Sequence, residues 1–189
     1  MPKGKQKRLP FGRNEKLMTN FKQIYEEAVD NYGLINAKKI RDMGIKKQQV
    51  QRYLNDGRLD KVGHGVYKIT QYVPVREDQY AKAVALVGDD AYLYGTAVLA
   101  LLELALVNPN QLTIATNKRV RKKLPKWIKI INTKNYTPVN ILGIPAQNLF
   151  DAFQTCKNKV MPDRLNEAIE EARKQGYLTR KEYEKLKVA

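Results

Sequence analysis

The order of apolar patterns between residues 36 and 69 restricts the fold more than any other feature of this sequence. Asn36 can cap a short helix over residues 37–43, and Gly44 then allows a tight turn. A second helix is predicted over Lys46–Asn55, closed by the Asp-Gly pair that follows it. Two helices joined by a short turn that contains glycine have the spacing of a helix-turn-helix.

A β-hairpin is predicted directly after the second helix. Residues 58–62 alternate between apolar and polar types, as a half-buried strand does. Gly63–Gly65 provide a turn, and Val66–Ile69 provide the return strand. An amphipathic helix is predicted upstream, over Asn14–Tyr32, because its apolar residues recur every three or four positions. Together these elements predict a winged helix-turn-helix over residues 14–75, a fold that binds DNA.

The second predicted helix separates an apolar face from a polar one. Val50 and Leu54 are expected to face the core one turn apart, with Tyr53 flanking them. The opposite face carries amide and basic side chains, and these bond to adenine and guanine edges in the major groove. Basic residues of the hairpin would reach the flanking DNA backbone. The candidate DNA-binding residues of this region are Lys46, Lys47, Gln48, Gln51, Arg52, Asn55, Arg58, Lys61, His64 and Lys68.

Positive charge is concentrated in three segments of the chain. The sequence has 35 Lys and Arg against 19 Asp and Glu, which gives a net charge of +16. Residues 1–16, 36–68 and 118–134 carry net charges of +5, +6 and +8, so the remainder is slightly acidic. Such islands are typical of a phosphate-binding footprint, although each one alone is also compatible with a solvated basic face. The third island adds candidate DNA contacts at Lys118, Arg119, Arg121, Lys122 and Lys123.

The sequence predicts two folded domains after a basic arm. Residues 1–13 are expected to be a disordered arm that either contacts nucleic acid or acts as a solubilising tail. Beyond a joint at Val73–Val75, helical and strand-like patterns are mixed, which predicts an α/β domain over residues 76–189. The predicted fold class is therefore α+β. The predicted elements of the second domain are helices over 77–87, 96–106 and 147–155 and from 162 and 179, and strands over 92–95, 112–116, 127–131 and 139–142.

One cysteine and one histidine argue against several kinds of site. The single Cys156 cannot form a disulfide within the chain, and zinc would lack the Cys and His ligands that it needs. His64 has no nucleophile evident near it and Cys156 is interpreted as structural, so neither an enzyme activity nor a cofactor is predicted. The sequence has no apolar run of about 20 residues and no secretory signal. A cytoplasmic protein with no membrane partner is expected.

Several short motifs follow one another over about residues 14–187. They are Val50–Gly57 with Leu59, Val62 and Gly65–Tyr67; Tyr94–Ala97 with Leu99–Leu104; Ile144-Pro145 with Asn148–Asp151; and Leu165–Ala168 with Gly176–Thr179. In their order and spacing these motifs resemble the AbiEi family, the antitoxins of bacterial type IV abortive-infection toxin–antitoxin systems. The chain departs from an arginine-containing pattern of that family at Gln147-Asn148.

The resemblance implies a regulator with two roles. Its N-terminal domain would bind double-stranded DNA at repeats in the promoter of its own operon and repress transcription. Its C-terminal domain would act as an antitoxin, opposing a nucleotidyltransferase-like toxin without forming a stable complex with it. Two other classes stay open: a general DNA- or RNA-binding regulatory protein unrelated to a toxin, and an enzyme with an acidic site. RNA is less favoured because no aromatic-rich strand platform is apparent.

Overall fold

The chain forms a mixed α+β structure that divides into two compact units. In the computed structural model, residues 11–104, 110–134 and 136–188 are described. The first unit ends at Val73 and the second begins at Pro74. Within the described residues there are eight helices and two β-sheets.

The first unit places three helices against a small antiparallel sheet. Its three strands lie in the order β1-β3-β2, and the residues of β3 pair with both neighbours. The Asn36 side chain accepts a 2.7 Å hydrogen bond from the Lys39 N–H and so caps α2, as its position predicts. The elements of this unit are α1 (Phe11–Val29), β1 (Leu34–Asn36), α2 (Ala37–Asp42), α3 (Lys47–Asn55), β2 (Leu59–Gly63) and β3 (Val66–Ile69).

Three features of the first unit differ from the sequence prediction. Strand β1 was not predicted, because three residues carry no periodicity and its pairing partner β3 lies about thirty residues away. Helix α1 begins at Phe11, inside the segment assigned to a basic arm, and residues 1–10 of that arm lie outside the described residues. Tyr53 is only 1% exposed and is a central core residue, whereas Leu54 is only partly buried.

The core of the first unit forms where α1, α2 and α3 meet the sheet. The Tyr53 ring contributes to it and packs at a tilt against Phe21, with 5.2 Å between ring centroids. This contact with α1 explains why Tyr53, and not Leu54, is the innermost residue at the end of α3. The buried residues of this cluster are Ile24, Ala28, Ile35, Ile40, Ile45, Val50, Tyr53, Leu59 and Ile69.

Gly33 is required by the close packing at the end of α1. Its φ of +73° lies in the left-handed region, and its carbonyl accepts a 2.9 Å hydrogen bond from the Ile69 N–H. A Cβ atom at this position would lie 2.6 Å from Cγ of Tyr72. The backbone therefore approaches the tyrosine ring more closely than any side chain would allow.

The second unit is built around a five-stranded mixed sheet in the order β6-β5-β4-β8-β7. Strand β5 runs antiparallel to β4 and parallel to β6, and β8 runs parallel to β4 and antiparallel to β7. Its elements are α4 (Asp78–Val87), β4 (Tyr92–Leu93), α5 (Thr96–Leu101), β5 (Leu112–Thr116), β6 (Ile128–Asn132), β7 (Val139–Ile141), β8 (Ile144–Ala146), α6 (Leu149–Cys156), α7 (Pro162–Lys174) and α8 (Arg180–Val188).

Helix α5 is shorter than predicted. It ends at Leu101, and the next turn is broken by Glu103, whose φ is +58°. The Arg76 guanidinium donates a 2.9 Å hydrogen bond to the Leu101 carbonyl and pairs with Glu103 at 3.1 Å. An arginine from the turn before α4 thus satisfies one carbonyl at the C-terminal end of the helix. Thr96 is the first helical residue and not the cap, and the predicted end at Leu106 lies outside the described residues.

A buried glutamine joins the turn before α5 to helix α6. Gly95, at φ +55°, donates its N–H to Oε1 of Gln147 at 2.9 Å, and Nε2 of Gln147 donates to Oγ1 of Thr155 at 3.0 Å. Gln147 is only 4% exposed, so both ends of its amide need these partners. Gln147 is thus a structural residue of the second unit.

Tyr136 forms a second polar contact with the start of α6. Its hydroxyl donates to Asp151 at 2.9 Å and accepts the Asn148 N–H at 2.7 Å. Burial, supported by the neighbouring Asp151 carboxylate, raises the pKa of Tyr136 to about 12. Strand β8, which leads into this region, was not predicted, because Pro145 was taken as part of a connection.

No helix in the described ranges is long and apolar enough to cross a membrane.

Candidate nucleic-acid interface

Helix α3 is held firmly at its start and at its end. The Lys46 N–H donates to Oε1 of Gln49 at 3.0 Å, which satisfies a backbone donor at the N-terminus. At the other end, the Arg58 N–H donates to the Tyr53 carbonyl at 2.9 Å, with Gly57 at φ +66° making the turn. Since Val50 and Tyr53 are buried beneath it, the helix presents its remaining face in a fixed orientation.

The outward face of α3 is the one that the sequence predicts. Its exposed side chains supply amide donors and acceptors along with positive charge. Nε2 of Gln51 donates a 3.0 Å hydrogen bond to Oδ1 of Asn55, one turn further on. Gln51 keeps its carbonyl oxygen and a second amide hydrogen, which is the pair that adenine N6 and N7 require. The exposed residues of this face are Lys46, Lys47, Gln48, Gln51, Arg52 and Asn55.

Arg58 lies at the end of α3 and is oriented by an aromatic ring. Its guanidinium carbon is 5.2 Å from the centroid of Phe21 in α1, and Phe21 in turn packs on Tyr53. Burial raises the pKa of Tyr53, and the positive charges of Arg58 and Arg52 oppose that shift. Arg58 was predicted as a DNA contact from the sequence, whereas the role of Phe21 was not, because no local pattern relates residues that far apart.

The hairpin does not bring all of its predicted contact residues together. Lys61 shares a strand face with the buried Leu59, whereas Lys68 lies on the opposite face, directly across from Asp60. Nζ of Lys68 sits 5.0 Å from the centroid of the Tyr72 ring. The two lysines therefore cannot both face one flat surface, because side chains alternate across a strand.

The turn of the hairpin presents His64 to solvent. His64 is exposed, as predicted for a turn residue. The carbonyl of Gly65 accepts a 2.8 Å hydrogen bond from the Ala37 N–H, which ties the turn to the start of α2. The position of the hairpin relative to the two short helices is therefore fixed by the backbone.

The third basic island, residues 118–134, begins in the loop between β5 and β6 of the second unit and continues through β6. Lys118 forms an ion pair with Asp90, and this hydrogen bond raises the pKa of Lys118. Residues 118–134 contain no Asp or Glu, and the acidic partner comes from Asp90, almost thirty residues upstream. The remaining candidates of this loop are Arg119, Arg121 and Lys123, which are exposed, and Lys122, which is partly buried.

Other chemistry receives little support from the arrangement of side chains. Cys156 is fully buried, and that burial raises the pKa of its thiol to about 11, although the charge of Lys159 opposes the shift. Across the described ranges, no three His, Cys, Asp or Glu side chains are grouped so that they could hold a metal ion.

The chain matches no model of a known protein family, and no curated protein sequence matches it significantly.

Proposed function

We propose that this chain is a DNA-binding transcriptional repressor and that its first unit is a winged helix-turn-helix. In this proposal α2 and α3 form the helix-turn-helix, α3 is the recognition helix, and β2 with β3 forms the wing. The observation that carries the proposal is the outward face of α3, on which amide and basic side chains are exposed together above a buried core. A helix of this composition fits the major groove, which admits one α-helix and offers both adenine and guanine edges.

The positive charge around α3 favours DNA as the partner over an uncharged molecule. Duplex DNA attracts cations along its whole length, and Lys46, Lys47 and Arg52 lie on the face that would meet it. Gln51 and Asn55 are held together by their hydrogen bond, so less side-chain freedom is lost when they bind a base. On α1 and directly after it, Glu26, Glu27 and Asp30 line one depression, where Glu26 pairs with Lys22 at 3.7 Å and Glu27 pairs with Lys39 at 3.0 Å. The exposed cations of α3 therefore make its outward face the one suited to DNA.

The antitoxin role rests on the family resemblance. We propose that the protein binds promoter repeats of its own operon, represses it, and opposes a nucleotidyltransferase-like toxin through the second unit without a stable complex. Because bacterial promoters lie in the cytoplasm, this role implies a cytoplasmic protein. The basic loop between β5 and β6 would add sequence-independent phosphate contacts.

The test of the recognition helix uses two double variants of the full chain. Gln51→Ala/Arg52→Ala removes one amide and one cation from α3. Lys22→Ala/Gln23→Ala also removes one amide and one cation, from the exposed side of α1, where Lys22 pairs with Glu26. Each good base contact contributes about 1–3 kcal/mol, so the α3 variant should bind its promoter DNA roughly 30-fold or more weakly. The α1 variant should bind like the wild type. Equal affinities of the two variants would show that α3 is not the reader.

The antitoxin role has a separate test in cells. The α3 variant should lose promoter repression but still rescue cells that express the toxin encoded beside it. That result is expected because the residues changed lie in the first unit and the antitoxin role is proposed for the second. Loss of rescue together with repression would mean that antitoxicity is transcriptional repression alone.

A further inference from the structure

One face of the second unit's sheet carries a pocket that the proposed function does not use. The pocket has a volume of about 310 Å³ and lies where β5 and β6 run side by side. Thr113 and Lys129 are partners in the parallel register, and Ile131 follows Lys129 on the same face of its strand. Thr113 and Ile131 therefore form a floor from which the Lys129 side chain rises. The other residues around the pocket are Tyr94, Thr96, Asn110, Gln111 and Lys159.

The lining is positively charged and rich in hydrogen-bond donors. Lys129 and Lys159 bring two ammonium groups, Thr96 and Tyr94 bring hydroxyls, and the lining includes no acidic residue. Within the described part of the chain, no ion pair is formed by either lysine. The contrast is with Lys118, whose charge is matched by Asp90. Two uncompensated cations beside one concave volume create a local site for an anion.

The structure restricts where each of the two lysines can lie. Lys129 is the second residue of β6, and all five residues of that strand pair with β5. Nζ of Lys159 is 5.7 Å from the centroid of the Tyr94 ring, within the range of a cation–π contact. The Tyr94 backbone is itself tied to the sheet, since its N–H donates to the Thr113 carbonyl at 3.0 Å. Such preorganisation lowers the entropy lost when a ligand is bound.

We propose that this pocket binds a small molecule that carries a phosphate group, no larger than a mononucleotide. A phosphate offers several acceptor oxygens and about two negative charges near neutral pH, which matches two ammonium groups with hydroxyl and amide donors around them. A volume near the lower limit of known ligand pockets suits a ligand of this size. The proposal rests on the second unit alone and is independent of DNA binding by α3.

The test is isothermal titration calorimetry of the full chain with adenosine 5′-monophosphate and with inorganic pyrophosphate, at about physiological ionic strength. Adenosine serves as the ligand that lacks phosphate. Saturable 1:1 binding of at least one phosphorylated probe, without binding of adenosine, is the expected result. Absence of saturable binding, or equal binding of adenosine and its monophosphate, would overturn the proposal.

Two variants locate the binding within the second unit. Lys129→Gln/Lys159→Gln removes both cations of the pocket, and loss of two charge-assisted contacts should weaken binding roughly 10- to 100-fold. Lys181→Gln/Lys185→Gln removes the same charge from exposed positions of α8, away from the proposed phosphate contacts, and should bind like the wild type. Equal weakening in both variants would mean that the probe only senses overall charge, which contradicts a site in the pocket.

Two further controls keep the result decisive. Both pocket lysines are exposed, so the double variant should fold, and its thermal unfolding is compared with that of the wild type. If it does not fold, Lys129→Gln and Lys159→Gln are measured singly, and each should lose part of the affinity. Displacement of the bound probe by duplex DNA would mean that the pocket holds a backbone phosphate, which overturns the assignment to a small ligand.

Discussion

Replacing Gly33 by alanine is expected to destabilise the first unit through two separate effects. The backbone at Gly33 has φ +73°, and a residue with a side chain costs about 1–2 kcal/mol in that left-handed region. The added Cβ would also lie 2.6 Å from Cγ and 2.8 Å from Cβ of Tyr72. Relief of such overpacking costs about 1–3 kcal/mol, because the ring must move. The expected total is about 2–5 kcal/mol, a large share of the ~5–15 kcal/mol that stabilises a typical domain.

The chain offers a matched control for the backbone effect. Gly44 has the same φ of +73°, but a Cβ there would meet nothing within 4 Å. Gly44→Ala should therefore cost only the backbone part, about 1–2 kcal/mol. The difference between the two variants measures the clash with Tyr72 alone.

Hydrogen–deuterium exchange in mild urea is the assay, because it reports the free energy of opening separately for each segment. Peptides from α1 and α3 should lose protection in Gly33→Ala, and the loss should exceed that in Gly44→Ala. Trp127 is the only tryptophan and lies in the second unit, so its fluorescence provides an internal reference. Equal loss of protection in the two glycine variants would refute the packing argument.

Three further outcomes are expected from other parts of the structure. Gln147→Leu should lower the free energy of unfolding by about 1–3 kcal/mol, because the buried Gly95 N–H loses its hydrogen-bond acceptor. Gln175→Leu on the surface should change that free energy little, and urea unfolding measures both variants. Cys156 should resist a thiol reagent at pH 8 in the folded protein and react in urea. The reason is that burial raises the pKa of its thiol to about 11 and keeps the native thiol protonated. Rapid reaction of the folded protein would contradict this. Neutralising four cations of the basic loop should weaken DNA binding evenly across sequences. The slope of the logarithm of the binding constant against the logarithm of the salt concentration should become less steep by roughly 0.9 per lost contact. An unchanged slope would mean that the loop faces something else. The four cations are Arg119, Arg121, Lys122 and Lys123.

Local periodicity was enough to locate most elements and the outward face of α3. The spacing of apolar residues fixes which side of a helix is buried, so the exposure of Gln51, Arg52 and Asn55 followed from the sequence. The same reasoning could not rank Tyr53 above Leu54, because Tyr53 is buried by Phe21 from another helix. Strand β1 was missed for a similar reason, since three residues become a strand only by pairing with β3.

Electrostatic pairing was the least predictable part of the candidate interface. Lys118 was counted among unopposed cations, but Asp90 reaches it across the fold. Lys61 and Lys68 were grouped as hairpin contacts, although the register of β2 and β3 separates them onto opposite faces. In each case the sequence supplied the residue types, and only the register or a tertiary contact decided which charges are available.

The most direct test of DNA recognition by α3 is an unbiased selection from a random duplex DNA library at about physiological salt, where non-specific phosphate binding is weakened. The wild-type chain should enrich a defined direct or inverted repeat, and that repeat should occur upstream of its own gene. Gln51→Ala/Arg52→Ala should lose this enrichment, while Lys22→Ala/Gln23→Ala should keep it. Enrichment of no sequence by the wild type, or of the same repeat by the α3 variant, would contradict the assignment of α3 as the helix that reads DNA.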